Sequence, residues 1–140
     1  MSRAEGVVVL DNEAVQALVD PKHAKHRRVL AHLESATDRR RRGDVTRVVV
    51  PCAVRVEAGW DRSAPTTAAI KRFRVADVPL DGPSSDLAAD IVVREQVSVA
   101  HAHVGAAVSI NGWTGAAILS SDPNDMRRVC APIAVNSVRV

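Results

Sequence analysis

Short apolar runs alternate with amphipathic stretches along this chain. Val7-Val8-Val9-Leu10 is too short for a helix and reads as a buried strand of a parallel sheet. From Asn12 to Val19 the spacing turns helical, with Asn12 placed to act as N-cap. After the Asp20-Pro21 turn signal, Val29, Leu30, Leu33 and Ala36 share one face of an amphipathic helix over about 23–38. Arginines 39–42 complement the negative end of that helix dipole, and Gly43 suits its C-cap. A second strand, Arg47 to Val50, is closed by Pro51. The proline opens a short helix over about 51–59 that stops at Gly59-Trp60.

Pro65-Thr66 opens a further helix to about Lys71, and Phe73 to Ala76 reads as a third strand. Pro79, Gly82 and Pro83 fall in a loop, followed by a helix over about 84–95. Val97-Ser98-Val99 leads into a helix over about 101–110. Ala116 to Leu119 is a buried strand, a short helix occupies about 123–131, and the last strand is Ile133 to Val140. Strands alternate with helices throughout, so the class is α/β with a parallel sheet. No repeat, low-complexity segment or linker divides residues 1–140, which read as a single domain.

Two of the buried strands run straight into a carboxylate. Asp11 follows the first and Asp122 follows the strand that ends in Ser120-Ser121, while Glu57 lies on the helix after the second strand. Right-handed crossovers bring such strand ends to one edge of a parallel sheet. Open α/β sheets bind ligands at that edge. Oxygen donors gathered there favour a hard divalent cation, which can serve phosphodiester cleavage. Spacing alone is equally satisfied by unrelated caps and surface acids, and receiver-type and haloacid-phosphatase-type folds also begin with a strand ending in Asp.

Three stretches change that balance. Val9-Leu10-Asp11-Asn12-Glu13-Ala14-Val15, Val50-Pro51-Cys52-Ala53-Val54-Arg55-Val56-Glu57-Ala58-Gly59-Trp60 and Leu119-Ser120-Ser121-Asp122-Pro123-Asn124-Asp125-Met126 occur in this order. Together they resemble a PIN domain, in particular the VapC-type toxins of bacterial VapBC toxin–antitoxin modules. The last stretch is the most specific of the three. The resemblance spans essentially the whole chain and implies a twisted, mainly parallel five-stranded sheet flanked by helices. It also implies a metal-dependent endoribonuclease, using Mg2+ or Mn2+ and held in check by a cognate antitoxin, with homodimers expected.

Under that resemblance Asp11, Glu57 and Asp122 are metal-holding and catalytic acids. Ser120 is the small hydroxyl residue beside them, Asp125 a more peripheral acid, and Asn12 stands where many relatives have Thr or Ser. The main departure is the third acid of the family, whose place His101 occupies. Asp90, the nearest upstream aspartate, falls inside the preceding helix. His101 has two readings. As neutral imidazole it ligates Mn2+ or Zn2+ well and Mg2+ poorly. As imidazolium it pairs with the carboxylates, takes the ion's place, and leaves a catalytically impaired PIN-fold protein that acts by binding an antitoxin or RNA.

Composition trims the remaining possibilities. The chain has one Phe, no Tyr and two Trp, too few aromatics for a base-stacking platform. A net charge of +3 permits a polyanionic partner without requiring one. Arginines 39–42 read either as an RNA-backbone patch or as solvated charge at a helix end. Cys52 and Cys130 lack metal-site spacing, and no apolar run is long enough to span a membrane, which together point to a cytoplasmic protein with reduced thiols. His103, two residues from His101, points elsewhere on a helix, so the pair does not chelate.

Overall fold

The computed structural model describes residues 5–63 and 70–140. In chain order the elements are β1 (Glu5–Leu10), α1 (Asn12–Val19), α2 (His26–Arg41), β2 (Val45–Pro51) and α3 (Cys52–Ala58). They continue as β3 (Ala76–Val78), α4 (Gly82–Glu95), α5 (Val99–Asn111), β4 (Ala117–Ser120), α6 (Pro123–Cys130) and β5 (Asn136–Arg139). The strands form one five-stranded sheet in the order β3-β2-β1-β4-β5, and every pairing is parallel. The expected α/β class and five-stranded sheet are thus what the chain forms.

This order determines where a site can be. The chain steps outward from β1 through β2 to β3, then crosses back to β4 and β5 on the other side. The direction reverses at the carboxyl ends of β1 and β4, the switch point where α/β sheets open a crevice. Leu10 pairs with Leu119 in register, and the Asp11 amide donates to the Leu119 carbonyl at 3.0 Å. Asp11 and the residues after Leu119 are therefore neighbours because of the sheet itself.

The central strands are apolar on both faces, as a sheet covered by helices requires. Val9, Leu10, Val49, Val50 and Ile118 are fully buried. Helix α5 is built of small residues because it has neighbours on several sides. Ala102, Val104, Ala106, Ala107 and Val108 are all buried, and α5 packs against α3, α4 and α6. At Gly105 a Cβ would overlap the Val129 carbonyl of α6, so only glycine lets these helices come so close. That contact sets α6, and the acids at its start, over the first turn of α5.

Four expectations are corrected in detail. The third strand is Ala76–Val78 rather than residues 73–76. Phe73 ends a short 3-10 turn with its ring buried, and Arg74 has a left-handed φ of 51°, so extension begins only afterwards. Gly82 and Pro83 open α4 instead of lying in a loop, because the Asp81 side chain accepts from the Ser84 amide as N-cap. The last strand is Asn136–Arg139, shorter than 133–140, because the Ile133 amide turns back to the Cys130 carbonyl. Asp11 rather than Asn12 is the N-cap residue of α1, and its side chain is used elsewhere. The helix expected from Pro65 falls largely on residues 64–69, outside the described residues.

Candidate active site

Asp11 is 1% exposed, yet its carboxylate has polar company. The Ser120 hydroxyl donates to its Oδ2 at 2.7 Å, and His101 Nε2 lies 3.2 Å from the same oxygen. Ser120 Oγ in turn accepts from the Asp122 amide at 2.9 Å, so one hydroxyl fixes both acids at the switch point. Burial alone would raise the Asp11 pKa. The hydrogen bonds from His101 and Ser120, with the positive charge of His101, outweigh burial and hold it below the usual 3.8.

His101 reaches this point because Ser98 caps α5. The Ser98 hydroxyl accepts from the His101 amide at 3.1 Å and starts the helix three residues earlier. The ring then lies among three carboxylates. Nε2 faces Asp11 and Asp122, with Asp122 Oδ2 at 3.8 Å, while Nδ1 faces Asp125 Oδ2, also at 3.8 Å. The hydrogen bond to Asp11 raises the His101 pKa above 6.5. Burial opposes the shift, and the charges of Asp11, Asp122 and Asp125 reinforce it.

These groups open into a cleft of about 500 Å3 whose lining also includes Asn12, Glu13, Glu57 and Arg128. Glu57, exposed on α3, accepts from Asn12 Nδ2 at 2.7 Å, and Gln16 Nε2 donates to Asn12 Oδ1 at 2.5 Å. Asn12 is thus an orienting residue for Glu57, not a cap. Glu13 pairs with His23 at 3.1 Å and Lys25 at 3.5 Å at the rim. Asp125 is held by Arg128 at 2.8 Å, and Arg128 also donates to the Glu95 carbonyl at 2.6 Å. Arg128 and Ser98 carry no role in the expected motif, although the Asp125/Arg128 spacing of three residues is visible in the sequence.

Other expected assignments separate cleanly. His103 points into the core, fully buried. Its Nδ1 accepts from the Ala53 amide, and its Nε2 lies 3.2 Å from the Pro79 carbonyl, which selects the neutral Nε2–H tautomer. Burial pushes its pKa down accordingly. Asp90 is paired with Arg94 on the outside of α4, and Arg55 turns to Asp77 at 2.9 Å. Trp60 and Trp113 are buried.

The residues present fit a divalent cation. Asp11 Oδ1 is buried with no hydrogen-bond partner, an unmet acceptor that calls for a positive group. His101, Asp122 and Asp125 each offer a donor atom, all within 4.8 Å of one another. One imidazole among carboxylates is a donor set that can hold a divalent metal ion.

No family profile matches the sequence, and no curated protein sequence matches it either. Solved structures do share its fold. A chain of FitAB bound to the IR36 DNA fragment superposes with a TM-score of 0.55 at 15% identity, covering 93% of this chain and 94% of that one. A chain of VapBC2 from Rickettsia felis, bound to a DNA fragment from the promoter, superposes with a TM-score of 0.57 at 7% identity. That match covers 94% of this chain and 98% of the other.

Proposed function

We propose that this chain, a PIN/VapC-type domain by fold, is the nuclease toxin of a toxin–antitoxin pair and cleaves RNA at the Asp11 cleft. The supporting observation is the gathering, at the switch point of the sheet, of buried Asp11 with its unpaired oxygen, His101 and Asp122. Asp11, Asp122, His101 and Glu57 would hold a divalent ion, Mn2+ more readily than Mg2+. When bound, such an ion activates water and offsets charge on the phosphodiester oxygens.

The protein's own residues have distinct tasks in this reading. Ser120 locks Asp11 and Asp122 in mutual register, and Asn12 aims Glu57 from the other side of the cleft. Asp125 faces Nδ1 of His101 at 3.8 Å, beyond hydrogen-bond reach, and acts on the ring through its charge while Nε2 is turned to Asp11 and Asp122. Arg128 restrains Asp125 and supplies a cation at the rim for an approaching phosphate. The partners are an RNA substrate, a cognate antitoxin and a second copy of the chain, in the cytoplasm. Among the described residues no helix is long and apolar enough to cross a membrane.

A second reading rests on the 3.2 Å His101–Asp11 contact. A protonated His101 would itself occupy the cation's place and leave a domain that binds without cutting. The experiment is cleavage of a mixed-sequence RNA by wild type and Asp11→Asn, each in EDTA, Mg2+ and Mn2+. Cleavage by wild type in Mn2+ and its loss in Asp11→Asn support the nuclease. Cleavage that survives Asp11→Asn would refute it.

A further inference from the structure

Far from the acid cleft, Thr37, Arg40, Arg41, Arg72 and Arg74 line a groove of about 290 Å3. Arg40 and Arg41 lie at the end of α2, which leads directly into the first residue of β2, so the groove lies towards the amino-terminal edge of the sheet. The cleft opens at the carboxyl edge. We propose that this groove is a docking site for the phosphate backbone of RNA.

Charge is the first reason. Four guanidinium groups share the lining, and no carboxylate is part of it. Among the described residues the carboxylate partner of Arg41 is Asp38 at 3.6 Å and that of Arg72 is Glu34 at 3.3 Å, both exposed pairs of the kind that water and salt weaken. Arg40 and Arg74 have no carboxylate partner among the described residues. Helix-end arginines are expected to complement the dipole of α2. That accounts for Arg40 and Arg41 but not for Arg72 and Arg74, which come from a separate segment.

Placement is the second reason. Arg40 Nη2 donates to the Phe73 carbonyl at 2.7 Å and so ties the 72–74 segment to the end of α2. Its Nε is buried without a partner. The left-handed turn at Arg74 holds that residue at the groove although its charge repels that of Arg40. Like charges held together by backbone geometry call for an anion from outside.

The lining indicates which anion. Guanidinium forks on two sides of a groove match phosphate oxygens bidentately. Among the described residues the groove is lined by Thr37 and four arginines, with no apolar side chain of its own to fix the register of an acidic peptide, although Arg72 also borders a neighbouring apolar pocket. The choice of RNA over another polyphosphate rests on the nuclease reading above. Contacts of this type are sequence-independent and strongly salt-dependent.

The test is fluorescence anisotropy with a labelled 30-nucleotide single-stranded RNA in EDTA, so that cleavage does not enter. Affinity is followed from 50 to 300 mM KCl for wild type, Arg41→Gln/Arg74→Gln, and a charge-matched control, Arg27→Gln/Arg28→Gln, altered at the exposed start of α2. The expected result is a salt slope shallower by about 1.4 in the groove variant, corresponding to two lost phosphate contacts, with the control close to wild type. Equal slopes in the groove variant and the control would overturn the proposal, as would a poly-glutamate peptide of matched charge that binds as tightly as the RNA. The readout is independent of the cleft. Groove binding without cleavage in Mn2+ would count against the nuclease reading alone, and cleavage without groove binding against this proposal alone.

Discussion

Ser120 and Asp11 are 109 residues apart in the chain, and a buried 2.7 Å hydrogen bond joins them. The bond exists because β1 and β4 are adjacent in the sheet with Leu10 opposite Leu119. Ser120 also accepts from the Asp122 amide, so it serves two acids with one hydroxyl. Ser120→Ala should cost roughly 1–3 kcal/mol, since it removes a buried hydrogen bond to a charged group. Chemical denaturation measures that loss, and cleavage by the folded variant should fall at least about tenfold.

The close approach of α5 and α6 makes a separate prediction. Gly105→Ala puts a methyl group against the Val129 carbonyl. Overpacking of this kind costs about 1–3 kcal/mol, and it should also move Asp122 and Asp125 away from His101. A lowered melting temperature together with weaker Mn2+ binding by calorimetry is the expected pair of results. A loss of stability with unchanged Mn2+ affinity would show that the two helices do not set the site.

The pH dependence of the metal-free protein follows from the His101–Asp11 pair. The folded pKa of His101 is raised, so its contribution is complete below the unfolded value of 6.5 and fades as pH rises through the folded pKa. The folded pKa of Asp11 is lowered, so its contribution is complete above 3.8 and fades as pH falls through the folded pKa. In EDTA the stability difference between wild type and His101→Asn should therefore shrink from pH 6 to pH 9. Buried neutral His103 destabilises in acid in both proteins, and subtraction cancels it. Mn2+ competes with the proton on His101, so its affinity should rise over the same interval.

Arg128 tests the rim of the cleft. It is about half exposed, and its pair with Asp125 should add less than about 1 kcal/mol to stability. Arg128→Ala should therefore melt close to wild type. Its effect should appear as a higher KM for RNA with kcat little changed, because a rim cation for phosphate acts in binding. A fall in kcat alone would instead assign Arg128 to positioning Asp125.

Much of this arrangement was legible in the sequence, for physical reasons that differ by element. Val7 to Leu10 and Ala116 to Leu119 are apolar runs too short for helices, so β1 and β4 could be read directly, and with them the positions of Asp11 and Asp122 at strand ends. Alternation of strand and helix indicated a parallel sheet. The sequence misplaces β3 by a few residues, to 73–76, because Ala76–Val78 is short and largely exposed and is formed by pairing with β2 rather than by its own pattern. Asn12 was misread as a cap because its type suits that position, whereas its partner is Glu57, 45 residues away. The arginine groove also stayed hidden. Arginines 39–42 were visible as a run, but only the fold brings Arg72 and Arg74 beside them.

The most direct test compares wild type, His101→Asp and Asp11→Ala for RNA cleavage while Mg2+ and Mn2+ are titrated between pH 6 and 8. If His101 ligates the ion, wild type cuts with Mn2+ and poorly with Mg2+, His101→Asp gains activity in Mg2+, and Asp11→Ala is inactive in both. If only His101→Asp cuts, the imidazole has displaced the ion, and the claim that this chain is a working nuclease is contradicted.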